Sequence, residues 1–255
     1  ADVFSVVDLS GSMLQCMSTT YSCCVNTLHG GYFTGRCAGI PKIYASFCVP
    51  SCNGLLEDKL NPASDANKAV VSGILKPENL NTSRVGIVAY RESVDYAASS
   101  DLTNNTVQLN SRIDSWEAIG GTCICCGIND AVTRFQAQST SGKTKTMIVM
   151  SDGEATTQCS QQGTGDPRQD AIQAACDANQ TLEALTIYSV GVGADAEENT
   201  LSSIAQCGNG EYFSVTNISD LVDIYQTIVQ NIENSEEIRK VNHLLIIFYN
   251  ETSQY

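Results

Sequence analysis

A chain of 255 residues can bury a sizeable core, and one domain carrying an elaboration is the expected organisation. With 14 basic against 28 acidic residues and a net charge of −14, it lacks the clustered lysine and arginine that phosphate backbones require, which argues against nucleic acid as a partner. Its longest apolar runs fall well short of the roughly 20 residues of a membrane-spanning helix, so no membrane span is expected in this chain.

In chain order, Val3 to Val7 is an apolar run that predicts a first, buried strand. Residues 63 to 76, with Ala66, Ala69, Val70, Ile74 and Leu75 at helical spacing, predict a long helix that Pro77 ends. Val85 to Tyr90 reads as a buried strand, and Val94 to Ala97 as a short antiparallel edge. Helices are expected over 105–115 and 125–137, and a central strand over Thr146 to Met150. Asp166-Pro167 supplies a cap and a first-turn proline for the next helix. Leu185 to Val192 is a strand, Glu197 to Gln206 a helix, Tyr212 to Val215 a strand and Ile218 to Ile232 the last helix. Strands that alternate with helices predict an α/β fold, a doubly wound and mostly parallel central sheet flanked by helices.

Two stretches stand outside this rhythm. Residues 14–57 hold six cysteines (Cys16, Cys23, Cys24, Cys37, Cys48 and Cys52), several glycines and little periodicity, so cross-links are the expected frame of this insertion. At the other end, Leu244 to Tyr249 reads as a strand beyond the last helix, so residues 237–255 are expected to begin a following strand or domain. The chain opens with Ala1 directly on a strand, which suggests a removed leader or a fragment.

Twelve cysteines in a domain large enough to fold without staples indicate an oxidising, extracellular setting. Sequons at Asn81, Asn104, Asn179, Asn217 and Asn250 fit a secreted glycoprotein. Cys123-x-Cys125-Cys126 also has thiolate metal-binding spacing, and structural zinc is the alternative to disulfides there. A catalytic thiol needs an imidazole partner, and the histidines are His29 and His243 alone.

Three separated segments carry oxygen donors at strand ends. Asp8, Ser10 and Ser12 follow the first strand, Thr122 follows Gly120-Gly121, and Asp152 follows the Met147–Met150 run in Ser151-Asp152-Gly153. Hard divalent cations take oxygen ligands, and ligands of open α/β sheets bind at the carboxyl ends of strands. One metal site built from three loops is the simplest account; the bland alternative makes the same residues turn caps. Glu154 reads as a solvated rim residue, and Asp95, Asp101 and Asp195 as surface acids.

The D-x-S-x-S, G-G-T and S-D-G segments together resemble the von Willebrand factor A domain, or integrin I-domain, with its metal-ion-dependent adhesion site. The likeness runs from about Val3 to about Asn234, giving a domain over 1–236 that departs from the pattern in the 14–57 insertion. By resemblance, Ser10 and Ser12 would be direct ligands of Mg²⁺, Mn²⁺ or Ca²⁺, Thr122 an exchangeable one, and Asp8 and Asp152 mostly outer-shell. Neutral hydroxyl ligands leave the ion's charge poorly quenched, so a partner protein's Asp or Glu can complete its coordination.

The resemblance implies an extracellular, non-enzymatic binding module for cell adhesion. Its rival is a structural subunit of a surface filament or matrix that self-associates through the same domain, and a metal-dependent hydrolase is a third class. It also places the insertion on the metal face beside Cys123, Cys125, Cys126 and Cys159, with insertion cysteines expected to pair with these. A Cys176–Cys207 bridge is expected at the opposite end of the sheet.

Overall fold

The computed structural model describes residues 1–14, 23–26, 31–34 and 59–252. A six-stranded sheet carries the fold: β1 (Asp2–Asp8), β4 (Arg84–Tyr90), β5 (Ser100–Thr103), β6 (Lys145–Ser151), β7 (Leu185–Val192) and β8 (Asn209–Val215). Within the insertion, β2 (Cys23–Asn26) and β3 (Gly31–Thr34) pair as a separate antiparallel hairpin. The helices are α1 (Leu60–Ile74), α2 (Thr106–Ile113), α3 (Ile124–Gln138), α4 (Pro167–Thr181), α5 (Glu198–Cys207) and α6 (Ile218–Thr252).

Strand order is β5-β4-β1-β6-β7-β8, and only β5 runs antiparallel to its neighbour. The chain builds outward from β1 to β4 and β5, then returns to the other side of β1 to add β6, β7 and β8. That reversal puts a crevice between the carboxyl ends of β1 and β6, where ligands bind in open α/β sheets. Register is continuous across it, Val7 pairing with Tyr90's neighbour Ala89 on one side and with Met150 on the other.

Both sheet faces are covered, which is why β1 and β6 read as nearly unbroken apolar runs. One face packs Val3, Val7, Ile87, Ile148 and Val190 against α1, α2 and α6 through Val70, Ile74, Leu109, Tyr225 and Ile228. The other packs Phe4, Val6, Val88, Met147 and Val149 against α3, α4 and α5 through Ile128, Phe135, Ala171, Ala175 and Leu201. Asp166 caps α4 by accepting from Arg168 N–H at 2.9 Å, with Pro167 in the first turn. A Cys176–Cys207 disulfide ties α4 to α5, as expected.

Three expectations are corrected. Leu244 to Tyr249 is no strand: it continues α6, because from Ile218 to Thr252 neither glycine nor proline interrupts the helix. The antiparallel edge is β5, further along than 94–97; Val94 makes only an isolated bridge to Tyr90, since Asp95 turns the chain by accepting from Ala97 and Ala98 N–H. The last helix also runs well beyond Ile232. Among the described residues, no helix is long and apolar enough to cross a membrane.

The β1–β4 register makes a sharp test. Phe4 pairs with Gly86 across the strands, and its ring meets Phe135 edge to face with centroids 4.8 Å apart. A methyl group on Gly86 would fall inside the Phe4 ring. Gly86→Ala should therefore destabilise by roughly 1–3 kcal/mol, read as a lower melting temperature, and Phe4→Leu in the same chain should recover part of the loss. An unchanged melting point for Gly86→Ala would contradict this packing.

Candidate functional site

Three strand ends and one helix start meet above the β1–β6 crevice. Asp8 is the last residue of β1, Ser151 the last of β6, and Asp152 the next. A single 3₁₀ turn, Gly11–Leu14, follows the first motif, and buried Met13 pins it into the core. Asp8 and Asp152 are both fully buried.

The oxygens form a connected set. Asp8 Oδ1 accepts from the Ser10 main-chain N–H at 2.8 Å, an Asx turn that aims the serine backward over the strand end. Its Oδ2 accepts from Ser151 Oγ at 2.6 Å. Ser10 Oγ and Ser12 Oγ stand 2.9 Å apart, and Ser12 Oγ donates to Asp152 Oδ1 at 2.8 Å. Adjacent vertices of an octahedron with Mg²⁺-length bonds lie about 2.9 Å apart. The Ser10–Ser12 and Ser12–Asp152 oxygen pairs stand at the length of two such edges, which is also the length of the hydrogen bonds that join them.

Thr122 sits on the adjoining loop, buried and clamped through its main chain. Its N–H donates to Thr156 Oγ1 at 2.9 Å, and its carbonyl accepts from Thr156 and Thr157 N–H at 2.9 and 3.1 Å. Gly11 N–H donates to the Gly120 carbonyl at 3.0 Å, so the G-G-T loop rests against the first motif. Gly120 has φ +84°, and any side chain there would strike the Glu92 carboxylate, which accepts from Gly121 N–H at 3.1 Å. Those hydrogen bonds, its own main chain's first and then Gly121's, hold the Glu92 carboxyl below its usual range.

Sequence reasoning missed the cation that is already present. Lys59, directly before α1 and 0% exposed, places Nζ 2.8 Å from Asp152 Oδ2 and 2.8 Å from Asp195 Oδ1. A lysine at a helix N-terminus works against the helix dipole, so two carboxylates have to hold it there. Asp195, expected to be a mere surface acid, is half exposed but supplies one of them from the turn after β7. The available signal was that anomaly: a lone cation opening a helix, immediately after the insertion. Glu154 is the exposed rim residue expected, paired with Arg168, and Asp101 pairs with Arg134.

Burial pushes the Asp8 carboxyl up to about 7, and the nearby Asp152 charge adds to the shift. Asp152 is raised as well, by burial, with Lys59 pulling the other way.

The cysteines beside Thr122 pair differently from expectation. Cys123 bonds to Cys126 and Cys125 to Cys159, so these four satisfy one another and leave none for the insertion. The reason is local: the first turn of α3 brings Cys123 and Cys126 together, and the turn at Cys159 packs beneath it. The remaining insertion cysteines, apart from the main chain of Cys23 and Cys24, lie outside the described residues, as does His29.

The family model described as von Willebrand factor type A domain matches residues 48–227, well over half of the chain. That match begins after the D-x-S-x-S turn, which the fold itself returns to the central position. No curated protein matches the chain. Among solved structures, it is similar to the conserved hypothetical protein BatB from Bacteroides thetaiotaomicron, at 16% identity and TM-score 0.61, over 93% of this chain and 99% of that one. The vWF domain of the type V pili tip protein Mfa5 from Porphyromonas gingivalis aligns at 16% identity and TM-score 0.60, over 92% and 95%. The PilB minor pilin from Streptococcus sanguinis aligns at 14% identity and TM-score 0.65, over 92% of this chain and 61% of that one. At such identities the likeness speaks for the fold.

A pH dependence follows from Asp8. Its folded value of about 7 lies above the ordinary 3.8. Between the two the unfolded chain is ionised while the folded chain keeps the proton, so stability falls as pH rises through that window. The ceiling on the effect is about 4 kcal/mol at roughly 1.4 kcal/mol per unit. In chelator, Asp8→Asn should melt above the wild type at pH 8, and the gap should close as pH is lowered toward 4. Parallel pH profiles for the two chains would refute this.

Proposed function

The chain belongs to the von Willebrand factor type A family, and on that premise we propose that it is an extracellular metal-dependent adhesion module that binds a protein partner through a carboxylate. The observation that carries the reading is the run of oxygens from Ser10 Oγ through Ser12 Oγ to Asp152 Oδ1, linked at 2.9 and 2.8 Å over the β1–β6 crevice. When bound, Mg²⁺, Mn²⁺ or Ca²⁺ supplies a positive centre for an acidic side chain of the partner.

The chain's own residues do the rest. Ser10 and Ser12 offer neutral hydroxyls as direct ligands, with Thr122 as an exchangeable third. Asp8 orients the Ser10 main chain and the Ser151 hydroxyl while contributing charge from behind. Asp152 anchors the Ser12 hydroxyl. Lys59 holds the far oxygen of Asp152 and so weakens its pull on the ion. This is recognition without bond-making, and no catalytic base is assigned. Disulfides in the body of the domain support a setting outside the cytoplasm.

A second reading, a filament subunit that self-associates through this domain, draws on the pilus tip protein and minor pilin among its structural neighbours. Under it, purified chain polymerises and chelator dissolves the polymer; a chain that stays monomeric at high concentration with Mg²⁺ contradicts it.

Calorimetry with Mg²⁺ and Mn²⁺ on the oxidised chain tests the main reading. Asp8→Ala and Ser10→Ala should each abolish binding. Lys59→Met should tighten it by about tenfold or more, since about 1.4 kcal/mol of repulsion suffices for that factor. A wild-type chain that takes up neither ion, even with an acidic peptide present, would overturn the adhesion mechanism.

A further inference from the structure

We propose that the four cysteines beside the Thr122 loop form a second metal site, which in its thiol state binds one Zn²⁺ as a tetrahedral tetrathiolate. The proposal is independent of the oxygen site and of what that site binds.

The argument is geometric. The Sγ atoms of Cys123, Cys125, Cys126 and Cys159 all lie within 4.8 Å of one another. A tetrahedral Zn–S site with bonds of about 2.3 Å has sulfur–sulfur edges of about 3.8 Å. Three of the four non-bonded pairs here already stand at that edge: Cys123–Cys125, Cys123–Cys159 and Cys126–Cys159, each 3.7 Å apart. The two bonded pairs must open and the remaining pair, Cys125–Cys126, which lies within 4.8 Å, must settle to the same edge to complete the tetrahedron.

The surroundings suit a closed structural site. Cys123, Cys125 and Cys159 are buried and Cys126 is partly so, which leaves no open coordination position for substrate or water. Cys123 and Cys126 have the C-x-x-C spacing of a zinc knuckle. Cys123 is also the cap residue of α3, and no side chain caps that helix. The helix N-terminus beside the sulfurs favours negative charge there.

The chemistry balances with a dithiol as reductant. Each disulfide takes two electrons and two protons from one dithiol, which closes to its own disulfide, so two dithiols release four thiols. Zn²⁺ then displaces the four thiol protons and forms four Zn–S bonds, leaving a doubly negative centre at the helix start. Either state fastens the same two loops, the one bearing Thr122 and the one that follows Asp152. A chain that meets zinc before an oxidant would thus keep the rim of the crevice assembled.

The test uses the full chain, reduced anaerobically with a dithiol and freed of excess reductant. One equivalent of Co²⁺ should give the intense visible and near-ultraviolet absorption of a tetrahedral tetrathiolate, lost on adding Zn²⁺; oxygen-ligated octahedral cobalt has no such spectrum. Alkylation followed by peptide mass spectrometry then locates the site. Zn²⁺ should slow labelling of Cys123, Cys125, Cys126 and Cys159 at least tenfold, and Cys159→Ser should abolish that protection in the other three. Protection that falls on the insertion cysteines, or equal labelling of the four with and without Zn²⁺, would overturn the proposal.

Discussion

Two fully buried carboxylates at the carboxyl end of a parallel sheet constrain the entire upper half of this molecule. Asp8 and Asp152 sit at the ends of neighbouring strands, where an apolar pair would pack at no electrostatic cost. Their neighbours are what such burial demands: one main-chain N–H and one hydroxyl on Asp8, one hydroxyl and one ammonium on Asp152. Even so, the Asp8 carboxyl is raised to about 7. Stability forgone at one place, among otherwise consistent packing, is what a binding site looks like from within the fold.

Around that pair the loops are fastened by groups that are not themselves donors to the crevice. The Thr122 main chain is gripped by Thr156 and Thr157, and Cys123 N–H donates to Arg91 O at 2.6 Å. Cys123 also begins the sulfur cluster, which joins the start of α3 to the loop beyond Asp152. Main-chain clamps on both sides of Thr122 fix the position of this buried residue at the rim of the crevice.

Much of this was legible in the residues. β1, β4, β6 and β7 are buried on both faces, so their apolar runs announce themselves, and Asp8 and Asp152 follow where the runs stop. What failed was information carried by distance. Asp195 reads as a surface acid until β7 is set beside β6 and Lys59 is brought between them. The sulfur pairing depends on the α3 turn and the Cys159 turn meeting, and spacing alone left the insertion cysteines as equal candidates. Leu244 to Tyr249 misled because an unbroken apolar run has no period, and only its continuity with α6 decides between strand and helix.

The residues that flank the insertion meet at the site, which neither its composition nor its length reveals. It leaves the fold just after Ser12 and returns just before Lys59. Those two stems hold the same carboxylate, Ser12 Oγ on one oxygen of Asp152 and Lys59 Nζ on the other. Both contacts are hydrogen bonds of 2.8 Å to a fully buried carboxylate, where such contacts are strong. An ordinary surface loop would have stems that end on solvent and could vary in length with little effect on the core. Here the flanking residues Ser12 and Lys59 end on the group around which the crevice is organised, one on each oxygen of Asp152.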